Sequence, residues 1–210
     1  AVGASFNGKK SCSFGDAGCL SFFPSKNLGA FGDGGMVLTD DFRTAEVIKM
    51  IKNHGTEKKY YHARLGFNGR LDALQAALLR VKLGCVDRFT ENRRQNASYY
   101  NEKLKNYVSV PRVQEGFYHV FNQYSVMTEK RDQLMDYLGK KGVATAVYYP
   151  VPLHLQEVFG HLGYKKGDFP VSERASERIL SLPVFPELKD EEREYVCDSI
   201  VSFFNNSGGY

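Results

Sequence analysis

The stretch LSFFPSKNLGAFGDGGMVLT, residues 20–39, decides how the rest of the sequence is read. The apolar run at 18–23 predicts a buried strand, residues 24–34 a glycine-rich loop, and 35–39 a second strand. Lys26 is the only basic residue in the stretch. A lysine placed just after a buried strand is poorly solvated, and desolvation lowers the pKa of an ammonium. A neutral amine is a nucleophile toward a carbonyl carbon. Ser21, upstream on the strand, offers a hydroxyl to a phosphate, and glycines at 29, 32, 34 and 35 let backbone approach a ligand closely. The glycines fit neither G-x-G-x-x-G nor G-x-x-x-x-G-K-[ST], so neither a dinucleotide fold nor a P-loop is indicated. By local physics alone, a catalytic Lys26 competes with a lysine that is simply exposed.

Outward from this stretch the pattern is mixed. Asp40-Asp41 opens a helix with apolar positions at Phe42, Ala45, Ile48 and Ile51. It should stop near Asn53-His54-Gly55, where the glycine can take the left-handed conformation. Residues 56–70 form a polar, tyrosine-rich connection without a clear period, and long ordered loops tend to be functional. Leu71, Leu74, Leu78, Val81 and Cys85 make an apolar helical stripe. A longer stripe through Val86, Phe89, Arg93, Ala97, Tyr100 and Leu104 predicts a helix linking two substructures. Residues 118–127 alternate as a strand, 130–141 read as a helix, and 143–149 as a further strand ended by Pro150 and Pro152. Helices at 154–161, 170–180 and 190–204 follow, with an extended piece at 182–184 and a frayed tail at 205–210. The first half reads as the end of a mixed α/β layer and the second as a small α+β unit.

Composition narrows the function classes. Against 24 acidic residues stand 28 basic ones, and the densest basic stretches are pairs, not the face or stripe of a nucleic-acid binder. No apolar run is long enough to span a bilayer, which takes about 18 residues. Cys12, Cys19, Cys85 and Cys197 are scattered and no secretion signal precedes them, which argues for reduced thiols and a cytoplasmic home. His154, Glu157 and His161 fall on one face of the expected 154–161 helix, but HLQEVFGH lacks the metalloprotease order. A polar helix face is the better reading, and no metal is expected.

Several longer strings carry a resemblance. SFFPSKNLGAFGDGGMVLTDD, NHG (53–55), GFNGRLDALQAALL (66–79), YYPVPLHLQ (148–156) and SERILSLPVFPELKDEE (176–192) run the length of the chain. Together they resemble the DegT/DnrJ/EryC1/StrS family of pyridoxal-phosphate-dependent sugar-nucleotide aminotransferases. The resemblance implies an α/β fold of the aspartate-aminotransferase type (fold type I). Residues 1–85 would be the end of the large α/β/α domain, and 86–210 the small C-terminal α+β domain entered through a long helix. It implies that Lys26 holds pyridoxal 5′-phosphate covalently and that Ser21 binds the cofactor phosphate. Asn68 would reach the phosphate from the neighbouring subunit of a homodimer. Tyr60, Arg70 and His154 are expected near the sugar nucleotide, with Tyr61 and His62 on the same loop as Tyr60.

The implied reaction moves an amino group from glutamate to a keto-sugar nucleotide, with Lys26 as the base and acid that moves the proton. The product would be an amino-sugar nucleotide for surface glycan or antibiotic glycoside synthesis. Residue 1 is Ala, and the family's Asp beside the cofactor ring nitrogen would lie upstream of it. The chain is therefore expected to be the back part of a longer enzyme and, alone, inactive. Two alternatives stand beside this: a non-catalytic, regulatory protein of the same fold, and a related sugar dehydratase, which carries His where Lys26 stands.

Overall fold

The computed structural model describes residues 2–206. The chain divides into two compact units, Ala1–Glu91 with Val113–Asn122, and Asn92–Arg112 with Gln123–Tyr210.

The first unit begins with a hairpin. Strands β1 (Ser5–Phe6) and β2 (Lys9–Lys10) pair with Phe6 opposite Lys9, leaving Asn7 and Gly8 as the loop. Both loop residues have positive φ, at 46° and 78°. This is the Asn-Gly turn whose twist matches that of the strands, and the sequence reading passed over it. β7 (Phe117–Tyr118) adds to the other edge of β1. The sheet that carries the lysine stretch is separate, with β3 (Gly18–Ser21) antiparallel to β4 (Gly35–Leu38) and Ser21 opposite Gly35.

The buried strand expected at 18–23 is only partly found. Cys19, Ser21 and Phe23 are exposed and so is all of β4, because among the described residues each strand pairs only with the other. Burial is concentrated just beyond, in a small core of Phe22, Leu28, Ala30, Leu79 and Val86. Helix α1 (Phe42–Ile51) starts where Asp41 accepts the Thr44 N–H at 2.7 Å, as an N-cap should. It ends with Gly55 at φ 69°, whose N–H reaches the Met50 carbonyl at 2.9 Å. The aperiodic connection folds into a short hairpin, β5 (Thr56–Lys58) with β6 (Tyr61–His62).

Helix α2 (Ala73–Leu83) does not bury its expected stripe, since Leu74 is 72% exposed and Val81 74%. Its inward face is set by Leu79 together with Gln75 and Lys82, two polar residues that a hydrophobic period cannot register. Helix α3 (Val86–Leu104) leaves the first unit at Glu91 and enters the second.

In the second unit α3 buries Ala97, Tyr100 and Leu104, as its stripe predicts, and also Asn96, which the stripe omits. Against it lie β8 (Tyr124–Met127) and β9 (Ile179–Leu182), antiparallel with Tyr124 opposite Leu182. Leu134 and Leu138 of α4 (Arg131–Lys140) and Val196, Ile200 and Phe203 of α6 (Asp190–Asn206) complete the core. The Tyr100 hydroxyl donates to the Pro183 carbonyl at 2.9 Å and that of Tyr124 to Asn101 Oδ1 at 2.8 Å. Burial raises both phenol pKa values and pushes the Cys197 thiol up to about 12.

Several expectations change here. Residues 118–127 are not one strand, because β7 and β8 belong to different sheets. Residues 143–149 form no strand, and only Ala146 bridges to Ser181. Helix α5 (Pro170–Arg178) stops two residues early, so that Ile179 and Leu180 join β9. The 154–161 helix is replaced by two 3₁₀ turns, Leu153–Leu155 and Glu157–Leu162, which removes the shared face of His154, Glu157 and His161. Of the tail expected to fray, Asn205 and Asn206 are helical, and 207–210 lie outside the described residues.

Candidate active site

The lysine loop is held at several points. Phe22 donates its N–H to the Gly34 carbonyl and accepts the Ala30 N–H on its own carbonyl, both at 2.8 Å, closing the loop at its neck. Within it the Lys26 N–H meets the Phe23 carbonyl at 2.9 Å. A Cβ on Gly29 would lie 2.3 Å from the Pro24 carbonyl oxygen, so the loop crosses itself where only glycine fits. Helix α2 braces the far side. Gln75 Oε1 accepts the Phe31 N–H at 2.9 Å, and the Lys82 ammonium donates to the Gly29 carbonyl while lying over the Phe31 ring. Asn27 Nδ2 ties the near side to the Val120 carbonyl at 3.2 Å.

Lys26 itself is exposed at the tip of this frame. The poor solvation expected of it is thus not supplied by the described residues, because the chain buries the loop's neck and leaves its tip in water. Ser21 is exposed at the end of β3, and its Oγ accepts the Phe23 N–H at 3.3 Å, which leaves the hydroxyl proton to donate elsewhere.

A second group forms where α1 meets the hairpin. Residues 67–69 are zipped to the end of the helix. Phe67 N–H donates to Ile51 and Gly69 N–H to Lys52, both at 2.8 Å, and His54 N–H donates to Phe67 at 2.9 Å. Asn68, exposed, is bridged by its backbone to Asn53. Arg70 folds back so that one terminal nitrogen lies 2.9 Å from His54 Nε2 and 3.3 Å from Asn53 Oδ1. His62 Nδ1 lies 2.9 Å from the His54 carbonyl. Tyr60, 80% exposed and at φ 71°, stands at the hairpin tip with the Lys59 ammonium over its ring. Among the described residues no hydrogen bond or ion pair joins Lys26 or Ser21 to Asn68, Arg70 or Tyr60.

An exposed lysine on a braced loop, downstream of a hydroxyl whose proton is unspent, is matched by the sequence relationships of the whole chain. Residues 1–201 match the DegT/DnrJ/EryC1/StrS aminotransferase family. The chain belongs to this family. Its fold is the mixed α/β fold, fold type I, of the solved sugar aminotransferases.

Among curated family relatives, the pleiotropic regulatory protein of Geobacillus stearothermophilus is 50% identical over 98% of this chain and 56% of its own length. The UDP-N-acetyl-3-dehydro-alpha-D-glucosamine 3-aminotransferase of Acidithiobacillus ferrooxidans is 44% identical over 91% of this chain and 52% of its own. DesV of S. venezuelae, solved in complex with a ketimine intermediate, aligns with a TM-score of 0.93 and 35% identity, over 97% of this chain and 55% of that one. NtdA of Bacillus subtilis, solved with bound cofactor PMP, aligns at 0.83 and 28%, over 91% and 46%. The chain thus spans about half the length of the relatives it matches.

The family's aldehyde-and-phosphate cofactor suits the donors on this loop in kind, with an accessible amine for a carbonyl carbon and a hydroxyl with a proton to give to a phosphate. His154 belongs to the second unit. Its Nε2 is 2.9 Å from Glu173 Oε1, and both side chains are nearly buried. Glu173 also accepts the Gly167 N–H at 2.9 Å on both oxygens and the Phe169 N–H at 3.2 Å. Burial alone would raise the Glu173 pKa, but these donors and His154 outweigh it and hold the carboxyl below its usual value.

Gln75, Lys82, Glu173 and His54 were not singled out from sequence. His54 lay in one family string, NHG, and Gln75 in another, GFNGRLDALQAALL; Lys82 and Glu173 had no local signal. Among the described residues no group of three or more His, Cys, Asp or Glu is placed to hold a metal ion, and no helix is long and apolar enough to cross a membrane.

Proposed function

We propose that this chain is the lysine-bearing part of a pyridoxal-phosphate-dependent aminotransferase that moves an amino group from glutamate to a keto-sugar nucleotide. The observation that carries the reading is the exposed Lys26 on a loop braced by Gln75, Lys82 and Asn27, in a chain of this family. Pyridoxal phosphate, when bound, supplies a carbonyl carbon for the amine and a ring that withdraws electrons from it. Lys26 anchors the cofactor and, once released, takes the proton from the amino donor's α-carbon and returns it during the second half of the exchange. Ser21 donates its hydroxyl to the cofactor phosphate, and Asn68 reaches the phosphate of the neighbouring subunit in a homodimer. Tyr60 and Arg70 meet the substrates. In this reading residues 1–85 close the cofactor domain and 86–210 make the small domain.

The test uses the full-length protein. It should show the visible absorbance of a lysine-bound cofactor and transfer nitrogen from glutamate to a keto-sugar nucleotide, and Lys26→Ala should remove both without unfolding it. An unchanged band in Lys26→Ala would refute the assignment. A second reading, a regulator that binds the cofactor without turnover, draws on the name of the Geobacillus relative at 50% identity. It requires the band without the transfer.

A further inference from the structure

We infer that His54 is a positioning residue, whose neutral imidazole holds the Arg70 guanidinium so that the opposite guanidinium edge receives a substrate oxyanion, a carboxylate or a phosphate. The inference rests on the aminotransferase reading for the identity of the substrates. Its geometry stands apart from that reading.

His54 occupies an uncommon backbone conformation. Its φ is 61°, in the left-handed region, where His is one of the few residues other than Gly that is found repeatedly. The next residue, Gly55, is also left-handed at 69°. A Cβ on Gly55 would lie 1.8 Å from the Arg64 carbonyl oxygen, and one on Gly66 would lie 2.0 Å from the Gly55 nitrogen. Two backbone segments therefore cross here at their closest, and His54 stands beside the crossing.

The partner of that side chain is unambiguous in its chemistry. Arginine carries five N–H donors and no acceptor, so a ring nitrogen 2.9 Å from it must present a lone pair. Nε2 is then unprotonated and the imidazole neutral; a protonated ring would set two positive charges against each other. The same Arg70 nitrogen also donates to Asn53 Oδ1 at 3.3 Å, so both of its hydrogens are engaged. The guanidinium is planar and rigid, and fixing one terminal nitrogen fixes the plane. The edge formed by Nε and the second terminal nitrogen remains. Among the described residues no carboxylate forms an ion pair with Arg70. That edge is the two-pronged donor that matches a carboxylate or phosphate.

The frame around it is tied from two directions. The zipper between residues 51–54 and 67–69 sets the backbone entering Arg70. His62 Nδ1 lies 2.9 Å from the His54 carbonyl and 3.3 Å from Thr56 Oγ1, which braces His54 from the hairpin. Arg70 is thus aimed by contacts within its own unit before any ligand arrives.

The test compares two amides of different reach in the full-length, cofactor-loaded protein. Gln at position 54 carries its amide oxygen out to about where Nε2 lies, whereas Asn ends about where Nδ1 lies and falls short of the guanidinium. Asn tolerates the left-handed backbone better than Gln, so a purely structural role for His54 favours His54→Asn. Positioning favours His54→Gln.

We expect His54→Asn to raise the KM of one anionic substrate about tenfold, with kcat and the Lys26 absorbance little changed, and His54→Gln to restore most of it. A rise confined to glutamate identifies a carboxylate on Arg70, and one confined to the sugar nucleotide identifies a phosphate. Unchanged KM for both substrates in His54→Asn, or Gln performing no better than Asn, overturns the inference. If the wild-type protein shows no amino transfer, the aminotransferase reading fails first. The His54 inference is then judged by calorimetric binding of a nucleotide sugar and of glutamate, where the Asn variant must bind one of them about tenfold more weakly than the Gln variant.

Discussion

In each unit an imidazole Nε2 lies 2.9 Å from a charged side chain, and the two arrangements differ in everything else. His154 and Glu173 are shielded from water, and the carboxylate is satisfied on both oxygens by Gly167, Phe169 and the ring. The group closes the 163–169 loop onto α5. His54 and Arg70 are exposed, the imidazole accepts where His154 faces an acceptor, and one edge of the guanidinium is unspent. Apolar burial divides less sharply. The second unit encloses Tyr100, Leu104, Tyr124, Leu138, Leu180 and Ile200 but leaves Leu153, Val158 and Val171 largely in water, and the first leaves Phe42, Leu65, Phe67, Leu74 and Val81 exposed around a smaller core.

The contrast can be broken most strongly from the closed side. Leu180→Ala in β9 opens a cavity at a residue with no exposed surface and should cost about 2–5 kcal/mol in urea unfolding. A loss below 1 kcal/mol would mean that the second unit is far looser than described.

Glu173→Gln has a smaller effect that depends on pH. The folded pKa of Glu173 is depressed, so its contribution is present above the ordinary glutamate value and is lost as pH falls through the folded value. Thermal midpoints of the wild type should fall between roughly pH 5 and pH 3, and those of the variant should fall less over that window. Parallel curves would show that the carboxylate contributes no charge-dependent stability.

The smallest change is expected from the open side. Leu74→Ala on α2, at 72% exposure, should shift stability by less than about 0.5 kcal/mol. A core-sized loss would mean that Leu74 is covered in the folded protein.

Where local sequence carries its own physics, the fold was legible. The Asp41 cap, the left-handed Gly55, the α3 stripe and α4 are found where capping chemistry and period put them. The residues of the lysine loop were legible as well, because glycines crowded around one lysine are unusual. Legibility failed wherever a partner distant in sequence decides. Gln75 and Lys82 brace the loop from another element, so periodicity discounts them as solvent-facing. The strand at β9 depends on β8, and residues 143–149, β-rich in composition, gain only one bridge because β9 offers them a single residue. Glu173 looks like any polar position in PVSER until the 163–169 loop folds over it. The exposure of Lys26 was unreadable for the same reason, since burial is a property of what packs on the loop.

The pairing of Ser5 with Tyr118 fixes an order of events. On a ribosome β1 must wait, one edge unpaired, while the lysine loop, the β5–β6 hairpin and all of α3 are made. The first unit cannot finish its sheet until the chain has already laid down the opening helix of the second. A long-range pairing of this kind makes closure of that sheet a late step in folding.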